Sequence, residues 1–211
     1  QAFPGTNAKC YCDDLQIGGF VVPPFNLEIL KTGPATLAPG GTGSYVILFA
    51  NLGDGDGGAD PIAYNAEFTD TLPAGMRATS VTTSTTDSGD NVTCTITPDT
   101  ATYGNQVTCT PGNAAPTLPP NGQMFESKVG DEHIYTVTIA FEVDPTLDYS
   151  EQTFTNTGCI AADNDSTPLV ETEECDSVDT TTPVTLSFFQ ATRFGRDLHF
   201  EWSTATEVGT V

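Results

Sequence analysis

The chain has 211 residues, 28 of them acidic against 6 basic, and a formal net charge of -22. That length allows one good core, with or without appendages. A surface this acidic repels phosphate, which excludes nucleic acid and anionic lipid as partners and favours hard cations such as calcium. No apolar run approaches the roughly 20 residues a membrane span needs; the longest candidate is Tyr45 to Ala50. No leader opens the sequence, and a start at Gln1 reads as a mature chain whose leader has been removed. The 35 threonines and 10 serines, about a fifth of the residues, suit strands with a Thr-coated outer face.

Residues 1–24 are rich in glycine and proline, carry Cys10 and Cys12, and close at Pro23-Pro24, forming an N-terminal extension. From there the chain is a train of short strand signals broken by turns, with no convincing helix. The predicted strands are 25–32, 44–51, 62–70, 76–85, 90–97, 105–110, 132–143, 152–162, 184–192 and 197–205. The run Tyr45-Val46-Ile47-Leu48-Phe49 is apolar on both faces and predicts a central strand covered on both sides. Between 132 and 143, His133, Tyr135, Val137, Ile139, Phe141 and Val143 alternate with Thr136, Thr138 and Glu142. Turns are marked by Pro39-Gly40-Gly41, Gly53 to Pro61, Leu72-Pro73-Ala74-Gly75 and Pro119-Pro120-Asn121-Gly122.

This spacing predicts an all-β fold, an immunoglobulin-like β-sandwich over 25–175. A linker over 176–183 and a C-terminal β-hairpin or donor-strand segment over 184–211 follow. Val184, Leu186 and Phe188 share one face of the first hairpin strand. Leu198, Phe200 and Trp202 share one face of the second, across a turn at Phe194-Gly195-Arg196-Asp197. An isolated two-stranded hairpin is marginal in water, so these six side chains are predicted to form an assembly surface.

Six cysteines in a Lys-poor, Thr-rich chain point to an oxidising compartment. Cys94 and Cys109 each sit in a Val-Thr-Cys triplet and read as a disulfide closing a hairpin. Cys159 and Cys175 bracket an acidic stretch in the same way. Cys10 and Cys12 are left over; a bridge across one residue is strained, and pairing with a neighbouring molecule is the alternative. Zinc lacks support, because the two histidines, His133 and His199, lie far apart in strand-like runs.

Leu27-Glu28-Ile29-Leu30-Lys31-Thr32, Leu37-Ala38-Pro39-Gly40-Gly41, Gly43-Ser44-Tyr45-Val46-Ile47 through Asn51-Leu52-Gly53, and Phe68-Thr69-Asp70-Thr71-Leu72-Pro73-Ala74-Gly75-Met76 form a pattern. It closes with Thr155-Asn156-Thr157-Gly158, and it resembles the prokaryotic surface-protein "conserved repeat" domain, domain of unknown function eleven. The tail Pro183 to Phe188 and Trp202 to Glu207 is similar to a segment common after such domains in large secreted proteins. The resemblance covers about 25–207 and implies a secreted or cell-surface β-sandwich, structural or adhesive, and not an enzyme.

Three polar residues fall on core-facing registers. Lys31 shares parity with Phe25, Leu27 and Ile29; Asp70 with Tyr64, Ala66 and Phe68; Asn156 with Phe154 and Ile160. Polar groups so placed need partners. A lysine, an aspartate and an asparagine on first, middle and late strands resemble the intramolecular isopeptide sites of surface adhesins. There burial lowers the amine pKa and raises the carboxyl pKa, and the neutral amine attacks the carboxamide with loss of ammonia. The alternative is a buried Lys31–Asp70 ion pair hydrogen-bonded by Asn156.

Asp54, Asp56 and Asp60, on a Gly-rich loop after Asn51, are candidate calcium ligands, though the loop lacks the EF-hand spacing. The acidic stretch 163–179 reads as a solvated loop stapled by Cys159–Cys175. Asn91 and Asn164 head glycosylation sequons. No Gly-x-Ser-x-Gly, phosphate loop or free nucleophilic cysteine supports catalysis, so no cofactor beyond calcium is expected. The function these features predict is a secreted structural subunit of an extracellular filament. It would polymerise with itself head to tail by β-strand complementation. The alternative is a monomeric adhesion or ligand-binding module of a larger surface protein.

Overall fold

The computed structural model describes residues 25–38, 40–53, 62–113, 120–146, 153–163, 171–182 and 186–204. The strands in them are β1 (Leu27–Thr32), β2 (Thr42–Asn51), β3 (Tyr64–Thr71), β4 (Met76–Thr85), β5 (Asn91–Thr97), β6 (Gln106–Gly112), β7 (Tyr135–Val143), β8 (Thr153–Asp163), β9 (Glu171–Thr181), β10 (Leu186–Phe194) and β11 (Asp197–Thr204). No helix occurs among the described residues.

One sheet has the order β1-β2-β7-β4 and the other β5-β6-β3-β8-β9. Four strands facing β3-β8-β9 is the arrangement of a constant-type immunoglobulin sandwich, with the β5–β6 hairpin added beside β3. Period-two alternation makes the core. Along β7, Tyr135, Val137, Ile139, Phe141 and Val143 are buried while the residues between them are half-buried. They meet Tyr45, Ile47 and Phe49 of β2, and Phe68 and Ile160 from the opposite sheet. Tyr45 stacks on Phe141 at 4.4 Å, and Phe49 lies between Phe68 at 5.6 Å and Tyr135 at 5.5 Å. Offset ring pairs of this kind add about 0.5–1.5 kcal/mol each beyond the area they bury.

Three expectations are corrected. β2 is an internal strand, but Val46 and Leu48 on its outer face are only half-buried, so its second face is not covered. Residues 176–181 are not a linker: they complete β9, which pairs with β8 from Thr153↔Thr181 to Asp163↔Glu171. The acidic stretch 163–179 is likewise strand at both ends rather than a solvated loop. Asp163 closes β8, buried and bonded by Asn65 Nδ2 at 2.9 Å, and Glu171 to Asp179 lie in β9. β9 is an edge strand, tied to β8 by its backbone ladder and by the Cys159–Cys175 bridge, and to β1 by Asp176 Oδ2, which accepts the Lys31 amide at 2.7 Å. Beyond its end, Leu37 N donates to Thr181 O at 3.0 Å and Thr181 N to Ala35 O at 2.9 Å, joining the edges of the two sheets.

β10 and β11 form a sheet of their own, pairing only with each other among the described residues. A bulge between Leu186 and Phe188 sets the register Phe188↔Ser203 and Phe189↔Trp202. Phe188 therefore faces away from Leu198, Phe200 and Trp202, and Phe189 takes the place beside them, 6.1 Å from Phe200. Phe188, Phe189, Phe194, Leu198, Phe200 and Trp202 are all exposed.

Candidate functional site

β1 alternates Leu27 and Lys31 inward with Glu28 and Leu30 outward, which turns the Lys31 ammonium into the sandwich. Asp70 lies inward near the end of β3 and Asn156 inward on β8. In the β3–β8 register Asp70 faces Gly158, so Asn156 sits two residues along on the same inner surface. The Lys31 Nζ is 2.5 Å from Asp70 Oδ2, and both side chains are sealed from water. Lys31 thus reaches from one sheet to the other. Its ammonium also lies 4.7 Å from the centre of the Tyr45 ring. The Tyr45 hydroxyl is held in turn by Thr180 Oγ1 at 3.4 Å, and Thr180 donates to Pro34 O at 2.8 Å.

Burial dominates the electrostatics of this cluster. Desolvation pulls the Lys31 ammonium below the usual lysine range, with the Asp70 charge pulling back. Desolvation pushes the Asp70 carboxyl up, opposed by Lys31 and by the neighbouring Asn156 carboxamide. Both shifts move towards the neutral pair, an amine beside a protonated acid. Asn156 adjoins Asp70 without meeting it at hydrogen-bond geometry: its Nδ2 and Oδ1 have no partner, and neither has Asp70 Oδ1. An unmade hydrogen bond on a buried amide costs about 1–3 kcal/mol. The sandwich therefore holds the Asn156 carboxamide in a site sealed from water beside the Lys31–Asp70 pair.

The other predicted residues divide clearly. Cys94–Cys109 and Cys159–Cys175 are disulfides, each between register partners of adjacent antiparallel strands. Cys109 points into the core, whereas Cys175 is exposed on the outer face. Asn91 opens β5, half-buried and paired in register with Gly112. Leu186 lies in β10, and Phe188, Leu198, Phe200 and Trp202 are exposed as described above. Cys10, Cys12, Asp54, Asp56, Asp60, Asn164 and Val184 lie outside the described residues.

A cluster missed by the sequence reading joins Asp87 and Asp90, in the β4–β5 turn, to His133 ahead of β7. His133 sits in an alternating apolar run and reads there as core. The signal that could have found it is the Asp87-x-x-Asp90 spacing in a turn facing the start of that run. A polar groove also runs over the outer face of the second sheet, lined by Asn65, Glu67, Thr69, Ala161, Asp163 and Glu173.

No family model matches the sequence, so the conserved-repeat resemblance gains no support there, and no curated protein matches it. Solved structures do match. The major pilin subunit of Bacillus cereus is 13% identical, with a TM-score of 0.45 over 75% of this chain and 41% of that one. Domains D2 and D3 of the Corynebacterium diphtheriae major pilin SpaD are 15% identical, with a TM-score of 0.44 over 81% and 57%. The collagen binding subdomain of the Enterococcus faecalis surface protein ACE is 10% identical, with a TM-score of 0.41 over 72% and 95%. The chain thus spans 41% of the first of these pilin structures and 57% of the second.

Proposed function

We propose that this chain is a non-enzymatic structural subunit of an extracellular filament, braced inside by a Lys31–Asn156 isopeptide bond and joined to further copies through its C-terminal strands. The observation that carries the assembly is the β10–β11 hairpin. It presents Phe189, Leu198, Phe200 and Trp202 to solvent on one face and, among the described residues, pairs with neither sandwich sheet. A two-stranded sheet is marginal alone, and burying that face against another copy supplies what it lacks. Strand addition would take its affinity from backbone hydrogen bonds and its specificity from alternate side chains. A head-to-tail contact of this kind propagates as a fibre where the rotation does not close. At -22 per copy the subunits repel, so apolar burial must hold the contact.

The buried Lys31–Asp70 pair beside Asn156 supports the brace. The neutral Lys31 amine attacks Asn156 Cγ while protonated Asp70 hydrogen-bonds the carboxamide and passes protons between the nitrogens. A C–N bond forms, the Cγ–Nδ2 bond breaks, and one ammonia leaves. Two disulfides and a secreted location fit a fibre exposed to proteases and shear. Sedimentation of the full chain beside one ending at Thr182 tests the assembly: oligomers in the first and monomers in the second are expected, and monomers in both would contradict it.

A second reading, a monomeric surface adhesion module, is favoured by the polar groove over Asn65, Glu67, Asp163 and Glu173. It predicts a monomer whose ligand binding is lost when those residues are changed.

A further inference from the structure

The β4–β5 turn and the start of β7 bring together groups that the proposed function does not use. Thr86 N donates to Ile134 O at 3.1 Å and Ile134 N to Thr86 Oγ1 at 2.9 Å, fastening the turn to the strand. Asp87 Oδ1 accepts the Gly89 amide at 2.6 Å, which fixes its carboxylate at the mouth of the turn. His133 N donates to Ser127 Oγ at 3.1 Å, fixing the backbone from which the imidazole projects. One donor atom from each of Asp87, Asp90 and His133 then lies within 4.8 Å of the other two.

Asp90 is the anomaly. Its side chain is wholly buried, and its Oδ2 meets His133 Nδ1 at 2.9 Å. Its Oδ1 is buried and meets no donor at hydrogen-bond geometry, although the Tyr135 hydroxyl, directed to Gly112 O at 3.5 Å, lies close enough to act on the carboxylate. A second carboxylate, Asp87, stands close enough to act on it electrostatically. Two carboxylates converging on one imidazole, one oxygen unsatisfied in a dry pocket, is costly unless a cation is shared among them.

We propose that Asp87, Asp90 and His133 form a binding site for a divalent transition-metal ion of the zinc class. One imidazole nitrogen and two carboxylate oxygens are three of the four donors zinc takes, with water as the fourth. Calcium calls for six to eight oxygens and is a poor match to a site containing imidazole. With the ion on Nδ1, the His133 Nε2–H turns towards Asp131 Oδ1, 3.6 Å away, the outer carboxylate that commonly orients a ligating histidine. The bound ion would pin the β4–β5 turn to the first residues of β7, stiffening one end of the sandwich.

The test is calorimetric titration of the chelator-treated full chain with zinc chloride and, separately, calcium chloride, paired with thermal denaturation in each. One zinc per chain, a higher melting temperature with zinc, and no such response to calcium are expected. Asp87→Asn should keep the turn and lower zinc affinity at least about tenfold, the loss seen even for outer-shell partners; His133→Gln should abolish binding. Because Asp87 is only half-buried, its variant carries the test if His133→Gln fails to fold. No zinc heat with the unaltered chain, unchanged affinity in the Asp87 variant, or an equal response to calcium overturns the site.

Discussion

Asp70 and Gly158 are register partners on β3 and β8, and the missing side chain of Gly158 leaves room for the Phe68 ring and the Asp70 carboxyl. A Cβ at 158 would stand 3.0 Å from Phe68 Cε2 and 3.3 Å from Asp70 Oδ2. Gly158→Ala should therefore displace the carboxyl from Lys31 and cost about 1–3 kcal/mol of overpacking strain. Urea denaturation reads the stability loss. Intact mass should show a fraction of chains that keep the Asn156 ammonia. Full cross-linking with unchanged stability would show that the close approach is unimportant.

Asp70→Ala removes the carboxyl proposed to relay protons and leaves Lys31 without its buried partner. Intact mass, after allowing for the two disulfides and the substitution, should show no loss of ammonia, whereas the unaltered chain should be lighter by one ammonia. Thermal stability should fall as for a broken buried pair, by about 3–5 kcal/mol, on top of the lost cross-link. Ammonia loss persisting in this variant would remove Asp70 from the chemistry.

Much of this cluster is legible in the sequence, because strand parity alone turns Lys31, Asp70 and Asn156 inward. Their proximity is not legible: it depends on β1 lying across the sandwich from β3 and β8, a pairing that no local pattern encodes. The same limit hid the cluster of Asp87, Asp90 and His133, since 43 residues separate Asp90 from His133. β9 was missed for a different reason. Its inward positions are Asp176, Val178 and Thr180, so a single apolar side chain marks the face, and the segment reads as linker. In the hairpin, a bulge reversed the facing of Phe188, and a bulge leaves no signature in alternation.

The unlinked variant Asn156→Ala exposes the pair to titration. The Lys31 pKa in the folded chain lies below its ordinary 10.5, so the unfolded chain binds the extra proton between those values. Stability should rise with pH there. The folded Asp70 pKa lies above 3.8, so the folded chain binds the extra proton between 3.8 and that raised value. That contribution is present below 3.8 and is lost as pH rises through the folded value. Relative to a triple variant that also carries Lys31→Met and Asp70→Asn, stability should dip between the two windows. A flat difference across pH would contradict the shifts.

The disulfides should differ in reactivity. Cys109 is sealed in the core, while Cys159–Cys175 lies on the outer face with Cys175 exposed. Mild reductant followed by alkylation and peptide mass mapping should label Cys159 and Cys175 first. Each bridge closes a loop of about 15 residues, a separation of 15 for the first and 16 for the second, worth about 3 kcal/mol in the chain-entropy account. Equal labelling of all four cysteines would show that the sandwich opens as a unit before either bridge is reduced.

If the aromatic face of the C-terminal hairpin joins one copy to the next, stripping that face should abolish assembly. The most direct measurement is negative-stain electron microscopy of the full chain beside Phe200→Thr, Trp202→Thr, which keeps both strands β-prone but strips the exposed face. Filaments from the full chain and dispersed particles from the double variant are the predicted result. Dispersed monomers from both, or undiminished filaments from the variant, would contradict it.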